Sequence, residues 1–362
     1  MGAFQAVERE SAAVLGMPSF PASAKLVLVP GALAVARFES GRLAEAADAA
    51  ESADAAARRL GFDRHFFAVD HLRALAGLAL ERRDLAIAED LIERVLYLSE
   101  RRRPLFEFLA LLDRAQIWAA RGQLREALAT IESSRQVLAE ASSTQLARAD
   151  EQEALLRLSL GDLRSPAQLT SRLPVVRREL LQARIALAAG DHHAAQRHLQ
   201  AIGPGDLTPR LALLRQLLLA AAAIERGDPA VAGILGSALH TARRQGFLNT
   251  VITTSPEVTA YLVERAAQLW PDPFIEQLVS SALELRATDN GTGRSGRVLI
   301  EPLTAAEQRV LALLPTSTYL QIADILYVSR NTVKTHLRSI YRKLGVASRS
   351  QALERAVDLR LL

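Results

Sequence analysis

The chain of 362 residues contains no cysteine, only three lysines and no apolar run long enough to cross a bilayer. The absence of cysteine excludes disulfides, thiolate metal sites and a cysteine nucleophile, which suits a reducing cytoplasm. The longest apolar run, residues 217–224, is far shorter than the roughly 20 residues of a transmembrane helix. The first ten residues have neither the basic start nor the apolar core of a secretion signal. We therefore expect a cytoplasmic protein without a membrane partner.

Motifs for cofactors and catalysis are also missing. No G-x-x-x-x-G-K-[ST] sequence occurs, so no phosphate-binding loop is predicted. His193 and His198 are five residues apart, a spacing that does not place two imidazoles on one face of a helix, and no suitable cysteine or carboxylate accompanies them. Acidic pairs recur beside arginines, where helix-surface pairing explains them. We predict no metal, no cofactor and no enzymatic activity.

The charge of the chain is unevenly distributed. The formal net charge is +4, and the stretch from Val298 onward carries nine Lys and Arg against five Asp and Glu. The remaining residues hold 35 of each sign, so the whole excess lies at the C-terminal end. This distribution predicts that the C-terminal stretch binds nucleic acid and that the larger part has another partner.

A short turn followed by an Ala-rich helix recurs along the first 245 residues. Successive turns are 42, 39, 39, 29 and 37 residues apart, which is typical of stacked helical hairpins. Glycine at such a turn supplies a backbone position with positive φ. The aligned turn residues are Gly41, Arg83, Gly122, Gly161, Gly190 and Gly227.

These repeats predict a tetratricopeptide-like solenoid within an all-α protein, with irregular fourth and fifth units near Pro166, Pro174 and Pro204. Two further helices are expected over residues 256–270 and 273–287. We assign residues 1–287 to a helical-repeat region that senses an effector or protein partner. The alternative is that the array is only a spacer or an oligomerisation body.

Residues 288–297 are polar and Gly-rich without apolar periodicity, which indicates a flexible linker. Residues 298–362 then predict a four-helix domain, because three capping boxes begin helices there: Thr304 to Glu307, Thr318 to Gln321 and Ser348 to Gln351. Ser329 is a further N-cap candidate. Gly345 ends the basic helix that follows, so this helix is expected over residues 329–345.

That basic helix has two distinct sides at about 100° per residue. Its apolar stripe must pack inward: Val333, Leu337, Ile340 and Leu344. Polar and basic residues lie on the other side: Asn331, Lys334, Thr335, Arg338 and Arg342. A helix that contains Ile322 and Ala323 comes before the basic helix, and only a short turn separates the two. The basic helix is therefore expected to protrude and to fit the major groove of double-stranded DNA.

The run SRNTVKTHLRSIYRKLGVASRSQA resembles the LuxR-type (GerE-like) helix-turn-helix domain of bacterial transcription regulators. The resemblance implies a recognition helix in the major groove with Lys334, Thr335 and Arg338 facing bases. It also implies that five residues lie near phosphates: Asn331, Thr332, Arg342, Lys343 and Arg349. The repeats, linker and terminal domain together resemble the C-terminal half of MalT-like large LuxR regulators, without their ATP-binding domain. The chain is therefore a fragment of such a regulator or a shortened relative.

The family commonly pairs through its last helix, which implies a homodimer on DNA. Four residues of that helix are assigned to the contact: Ala352, Leu353, Ala356 and Val357. The alternative is that they complete the domain's own core. For the whole chain, a sequence-specific transcription regulator is the leading interpretation. Two other interpretations are a helical-repeat adaptor whose terminal helices bind protein and an enzyme with an unrecognised site.

Overall fold

The computed structural model describes residues 22–99, 103–138, 142–203, 207–265, 272–291, 305–315, 317–326, 328–344, 349, 352–353 and 356. The regular elements among these residues are helices, and no strand occurs in the ranges just given. The chain divides into two compact units, the first ending at Thr288 and the second beginning at Asp289. The predicted all-α fold is confirmed.

The described part of the first unit contains six helical hairpins, each made of an inner and an outer helix. The inner helices are α1 (Ala22–Ser40), α3 (Val69–Glu81), α5 (Pro104–Ala120), α7 (Ser143–Ser159), α9 (Val175–Ala188) and α11 (Pro209–Arg226). The outer helices are α2 (Leu43–Leu60), α4 (Leu85–Ser99), α6 (Leu124–Val137), α8 (Ser165–Gln168), α10 (His192–Ala201) and α12 (Val231–Gln245). The four-residue α8 is the predicted irregular unit, with Pro166 in its first turn.

Each hairpin turns at the position that the repeat alignment predicts. The φ angles of Gly41, Gly122 and Gly190 are 90°, 80° and 79°, and Gly161 and Gly227 are also left-handed. Arg83 adopts the same conformation at φ 65°, and among the described residues no other non-glycine does so. An L-residue there costs roughly 1–2 kcal/mol. Two hydrogen bonds of the Arg83 guanidinium, to Ala120 O at 2.9 Å and Asn249 Oδ1 at 3.1 Å, offset that strain.

The inner helices pack in sequence and close on themselves. Each of α1, α3, α5, α7 and α9 contacts the next inner helix, and α11 returns to contact α1. We call this arrangement the inner ring. The outer helices pack on its outside, mostly through small side chains: α2 buries Ala46, Ala50, Ala53 and Ala57 completely. Small residues let the two helix axes approach closely. The sequence predicted a curved array, but not that the array completes a turn.

The closing contact depends on a tight approach at Gly41. A Cβ atom at Gly41 would lie 2.6 Å from the backbone nitrogen of Arg210 and 2.9 Å from Cζ of Phe247. Glu81, at the end of α3, accepts from Arg210 Nη1 at 2.7 Å and from the Thr250 hydroxyl at 2.7 Å. Phe247 is fully buried beside Leu43 in the largest apolar cluster of the chain's described part. The first and sixth hairpins therefore share one core.

Three helices follow the array: α13 (Leu248–Thr254), α14 (Pro256–Arg265) and α15 (Pro273–Gly291). The last of these extends four residues into the predicted linker of residues 288–297, while residues 292–304 lie outside the described ranges. Propagating an existing helix is cheaper than nucleating one, so polar residues continue α15 for one more turn. The domain boundaries themselves stay predictions.

The second unit contains α16 (Ala305–Leu313), α17 (Tyr319–Leu326) and α18 (Arg330–Leu344). Their apolar faces form one core, and its fully or almost fully buried members include Val310, Leu311, Leu314, Ile322, Val333, Leu337 and Ile340. In the described part of the chain, no helix has the length and apolar character to cross a membrane.

Candidate DNA interface

The interface begins with a tight turn between α17 and α18. Ser329 caps α18: its Oγ accepts from the backbone N–H of Thr332 at 3.0 Å, as predicted. The capping box from Thr318 to Gln321 also forms. The backbone N–H of Gln321 donates to Thr318 Oγ1 at 3.4 Å, and Gln321 Oε1 accepts from the backbone N–H of Thr318 at 2.8 Å. The other two boxes include Thr304 and Ser348, which lie outside the described residues. Local sequence therefore fixes where both helices begin.

Packing then determines which side of α18 faces outward. Val333, Leu337 and Ile340 are 0%, 3% and 0% exposed, and they meet Ile322 and Ala323 of α17 in the core. By helical position, residues 331, 334, 335, 338 and 342 lie on the opposite side of the helix axis. The side chains of Asn331, Lys334, Thr335, Arg338 and Arg342 are outside the described part, so their DNA contacts stay predictions.

Lys343 has a partner inside the domain. Its Nζ lies 2.8 Å from Oε2 of Glu307 on α16, and both side chains are 5% exposed. This buried ion pair joins the first helix of the unit to the last turn of α18. The prediction that Lys343 lies near a phosphate is untested, but the structure gives this lysine an architectural role. The sequence did not predict this pair, because Glu307 is typical of the N3 position of a capping box and a lysine on a basic helix is usually exposed.

Arg349 also has partners within the domain. Its Nη2 donates to Leu314 O at 2.6 Å and to Ser317 O at 3.0 Å. These carbonyls follow α16, where a helix leaves its last acceptors unpaired. The guanidinium carbon lies 5.9 Å from the ring centre of Tyr319 at the start of α17. Arg349 therefore fixes the connection between α16 and α17, and its predicted phosphate contact stays untested.

A pair of tyrosines joins the two helices of the motif. The hydroxyls of Tyr319 on α17 and Tyr341 on α18 are 3.3 Å apart. Burial, with the hydrogen bond to Tyr319, raises the pKa of Tyr341 to about 12. Tyr341 thus remains a neutral hydrogen-bonding group at physiological pH. The sequence showed two tyrosines 22 positions apart with no signal that they meet.

The residues assigned to dimerisation differ in their surroundings. Ala352 and Ala356 are fully buried in the core of their own domain, and Leu353 packs partly against it. Val357 lies outside the described residues. Within a single chain, the two alanines pack in the domain's own core. The sequence analysis gave this packing as the alternative to dimerisation. Pairing through this helix remains a prediction.

No group of three or more potential metal-ligating side chains is found among the described residues. Of the histidines near the fifth turn, His198 places Nδ1 2.8 Å from Oε2 of Glu179 on the neighbouring inner helix. This contact joins the two helices of one hairpin.

The short turn, the capped second helix and the shared core define a helix-turn-helix domain of the kind that binds DNA. Residues 301–356 match the family model for bacterial regulatory proteins of the luxR family. The C-terminal domain is therefore a LuxR-family DNA-binding domain, as its sequence predicted.

Curated relatives agree with this assignment. The probable transcriptional regulatory protein SgaR of Hyphomicrobium methylovorum is 48% identical over 61 residues, which cover 17% of this chain and 29% of SgaR. The HTH-type transcriptional regulator MalT of Klebsiella pneumoniae (strain 342) is 30% identical over 205 residues, covering 49% of this chain and 22% of MalT. The MalT match is longer than the C-terminal domain and therefore includes part of the first unit. The chain spans less than a third of the length of either relative.

Proposed function

We propose that the protein is a sequence-specific transcription regulator in which the helix over residues 329–345 enters the major groove. Its base-facing residues are Lys334, Thr335 and Arg338. The match of residues 301–356 to the luxR family carries this proposal. The capped helix and its buried stripe support it, because they leave the polar side of α18 opposite the core. No catalytic step is assigned to the chain.

The first unit is proposed to bind the effector or protein partner that controls the DNA-binding domain. Its charges are balanced, unlike those of the C-terminal stretch, so nucleic acid is not its expected partner. The curated MalT relative is named a transcriptional regulator and its match extends into this unit. A regulator with separate sensing and DNA-binding units is the arrangement that these observations favour.

The DNA contacts are tested by gel shift of the full chain against genomic DNA fragments over a salt series. Affinity should fall steeply with salt, because phosphate neutralisation releases counterions. Lys334→Ala and Arg338→Ala should each reduce discrimination between sites by about 1–3 kcal/mol. Arg244→Ala, an exposed change on α12 in the first unit, is the matched control and should change nothing. Salt-independent affinity would refute DNA binding, and an unchanged site preference in Lys334→Ala would refute the assigned face.

We also propose that the protein binds DNA as a homodimer. The two chains would contact each other through the side of the last helix that carries Leu353. A two-fold dimer requires paired half-sites. Leu353→Glu should abolish cooperative occupation of two half-sites, whereas Leu320→Glu, at a 59% exposed position on α17, should not. Sedimentation of the protein–DNA complex distinguishes one bound chain from two. Unchanged two-chain complexes in Leu353→Glu would contradict this contact.

A further inference from the structure

The inner ring carries charged side chains that meet across its interior. Glu39 of α1 accepts from Arg148 of α7 at 2.6 Å, although the two residues are 109 positions apart. Arg148 also lies 3.4 Å from Asp113 of α5, which accepts from Arg73 of α3 at 2.7 Å. Helices α1 and α7 are the first and fourth of six inner helices. A direct ion pair between them requires that both side chains point to the interior.

Four charged side chains of the interior remain in contact with solvent. The side chains of Glu39 and Arg148 are 23% and 28% exposed, and those of Arg177 and Glu151 are 33% and 20% exposed. This distinguishes them from the Glu307–Lys343 pair, whose side chains are almost completely covered.

Helix α9 carries two arginines on one side, Arg177 and Arg184. Arg177 donates to Glu151 of α7 at 2.7 Å. Arg184 lies two turns further along the same side of α9 and is half-buried. Burial lowers the pKa of Arg184 to about 10, against the attraction of Glu151, so the group is still protonated at neutral pH. Within the described residues, no hydrogen bond or close ion pair satisfies its guanidinium.

Glu39 indicates what kind of group this environment favours. Burial alone would raise its pKa, but Arg148, Arg210, Arg177 and Arg73 together hold the pKa at about 2. The interior thus keeps a carboxylate ionised with several guanidiniums around it.

We infer that the interior of the inner ring binds a small anion bearing a carboxylate or phosphate group, with Arg184 as its main contact and Arg177 two turns away on the same side of α9. A half-buried guanidinium that has no direct hydrogen bond to a carboxylate is costly, and an anion bound to it would offset that cost. The planar fork of arginine also matches the oxygens of either group in a bidentate contact. This inference deepens the proposed sensing role and depends on it only for an effect on DNA binding.

The test uses calorimetric titration of the full chain with inorganic phosphate and, separately, with citrate, at constant ionic strength set by sodium chloride. The two probes distinguish a phosphate site from a carboxylate site. Arg184→Gln should weaken the binding of the preferred anion at least about tenfold, because a charge-assisted hydrogen bond is lost. The matched control is Arg197→Gln on outer helix α10, where the arginine is exposed, and it should bind as the unaltered chain does.

Thermal unfolding provides a second measurement. The anion should raise the melting temperature of the unaltered chain and of Arg197→Gln, but not of Arg184→Gln, because only a ligand of the folded state stabilises it. Without anion, Arg184→Gln should melt at the same temperature or higher, since an unpaired charge has been removed. Equal stabilisation of all three proteins, or no binding of either probe, would overturn the inference. Unfolding of Arg184→Gln would also overturn it, by showing that this arginine already has a structural partner.

Gel shifts with and without the anion separate this inference from the proposed function. Anion binding that depends on Arg184 but leaves DNA affinity unchanged would support the site and refute its sensing role. Intact DNA binding without any anion binding would refute the site alone.

Discussion

Two ion pairs, Glu39–Arg148 in the first unit and Glu307–Lys343 in the second, hold their charges under different conditions. In the first unit, ion pairs such as Glu39–Arg148 join helices far apart in sequence and remain 23% and 28% exposed. In the second, the Glu307–Lys343 pair joins residues 36 positions apart and is 5% exposed on both sides. The comparison teaches that equal distances do not imply equal roles. Pairs that water still reaches are available to a ligand, whereas a covered pair can only fix the positions of its helices.

Breaking the covered pair should have the largest effect. Lys343→Met removes the cation of a buried ion pair while the Glu307 carboxylate stays in place, and we expect the second unit to lose about 3–5 kcal/mol of stability. Hydrogen exchange of peptides from residues 305–344 measures this loss locally. The double change Glu307→Leu with Lys343→Met should recover most of it. If Lys343→Met instead weakens DNA binding without changing exchange, the phosphate contact predicted from sequence is correct.

The closure of the inner ring can be tested at its tightest point. Gly41→Ala places a methyl group against Arg210 and Phe247 at a left-handed residue, so strain and overpacking together should cost about 2–4 kcal/mol. Gly190→Ala is the matched control, because Gly190 is left-handed at φ 79° but has nothing within 4 Å of the new methyl group. It should cost only about 1 kcal/mol. Urea unfolding followed by circular dichroism compares them, and equal costs would show that the ring does not close at Gly41.

The partly exposed Glu39–Arg148 pair should make the stability of the first unit depend on pH. The pKa of Glu39 is about 2 in the folded chain, below its ordinary value of 4.5. Its stabilisation is therefore fully present above pH 4.5 and is lost as the pH falls toward 2. Glu39→Gln should cost up to about 3 kcal/mol at pH 7, reduced by solvent screening, and almost nothing near pH 2. Urea unfolding at several pH values checks this, and a cost that does not vary with pH would contradict it.

The smallest effect is expected at the one repeat turn that lacks glycine. Arg83→Ala keeps the left-handed strain and loses the bonds to Ala120 and Asn249, which should cost about 1–2 kcal/mol. Arg83→Gly loses the same bonds but relieves the strain, so it should be less destabilising by up to about 1 kcal/mol. Urea unfolding ranks the two variants. The reverse ranking would show that Arg83 is not strained.

The sequence predicted features whose causes are local. The turns from Gly41 to Gly227 follow from repeated Gly residues, and the start of α18 follows from Ser329. The burial of Val333, Leu337 and Ile340 follows from helical periodicity. Each depends on residues within a few positions of one another.

Features that depend on distant residues could not be predicted in this way. Glu81 and Thr250 meet across 169 positions, and no periodic pattern links them. Lys343 and Glu307 pair because α16 and α18 pack together, whereas each residue alone is typical of a helix surface. Arg184 likewise resembles an ordinary helix arginine in the sequence, whereas in the structure it is half-buried. These residues acquire their roles only when the helices pack.

The return of α11 to α1 also limits how this unit can change in evolution. An open solenoid tolerates the gain or loss of a repeat, because each repeat contacts only its neighbours. Here Arg210 of the sixth hairpin must reach Glu81 and the Phe38 carbonyl of the first two. Inserting or deleting one hairpin would rotate these partners away from each other. The number of hairpins between these partners is therefore fixed, and a repeat duplicated between them would break the contact.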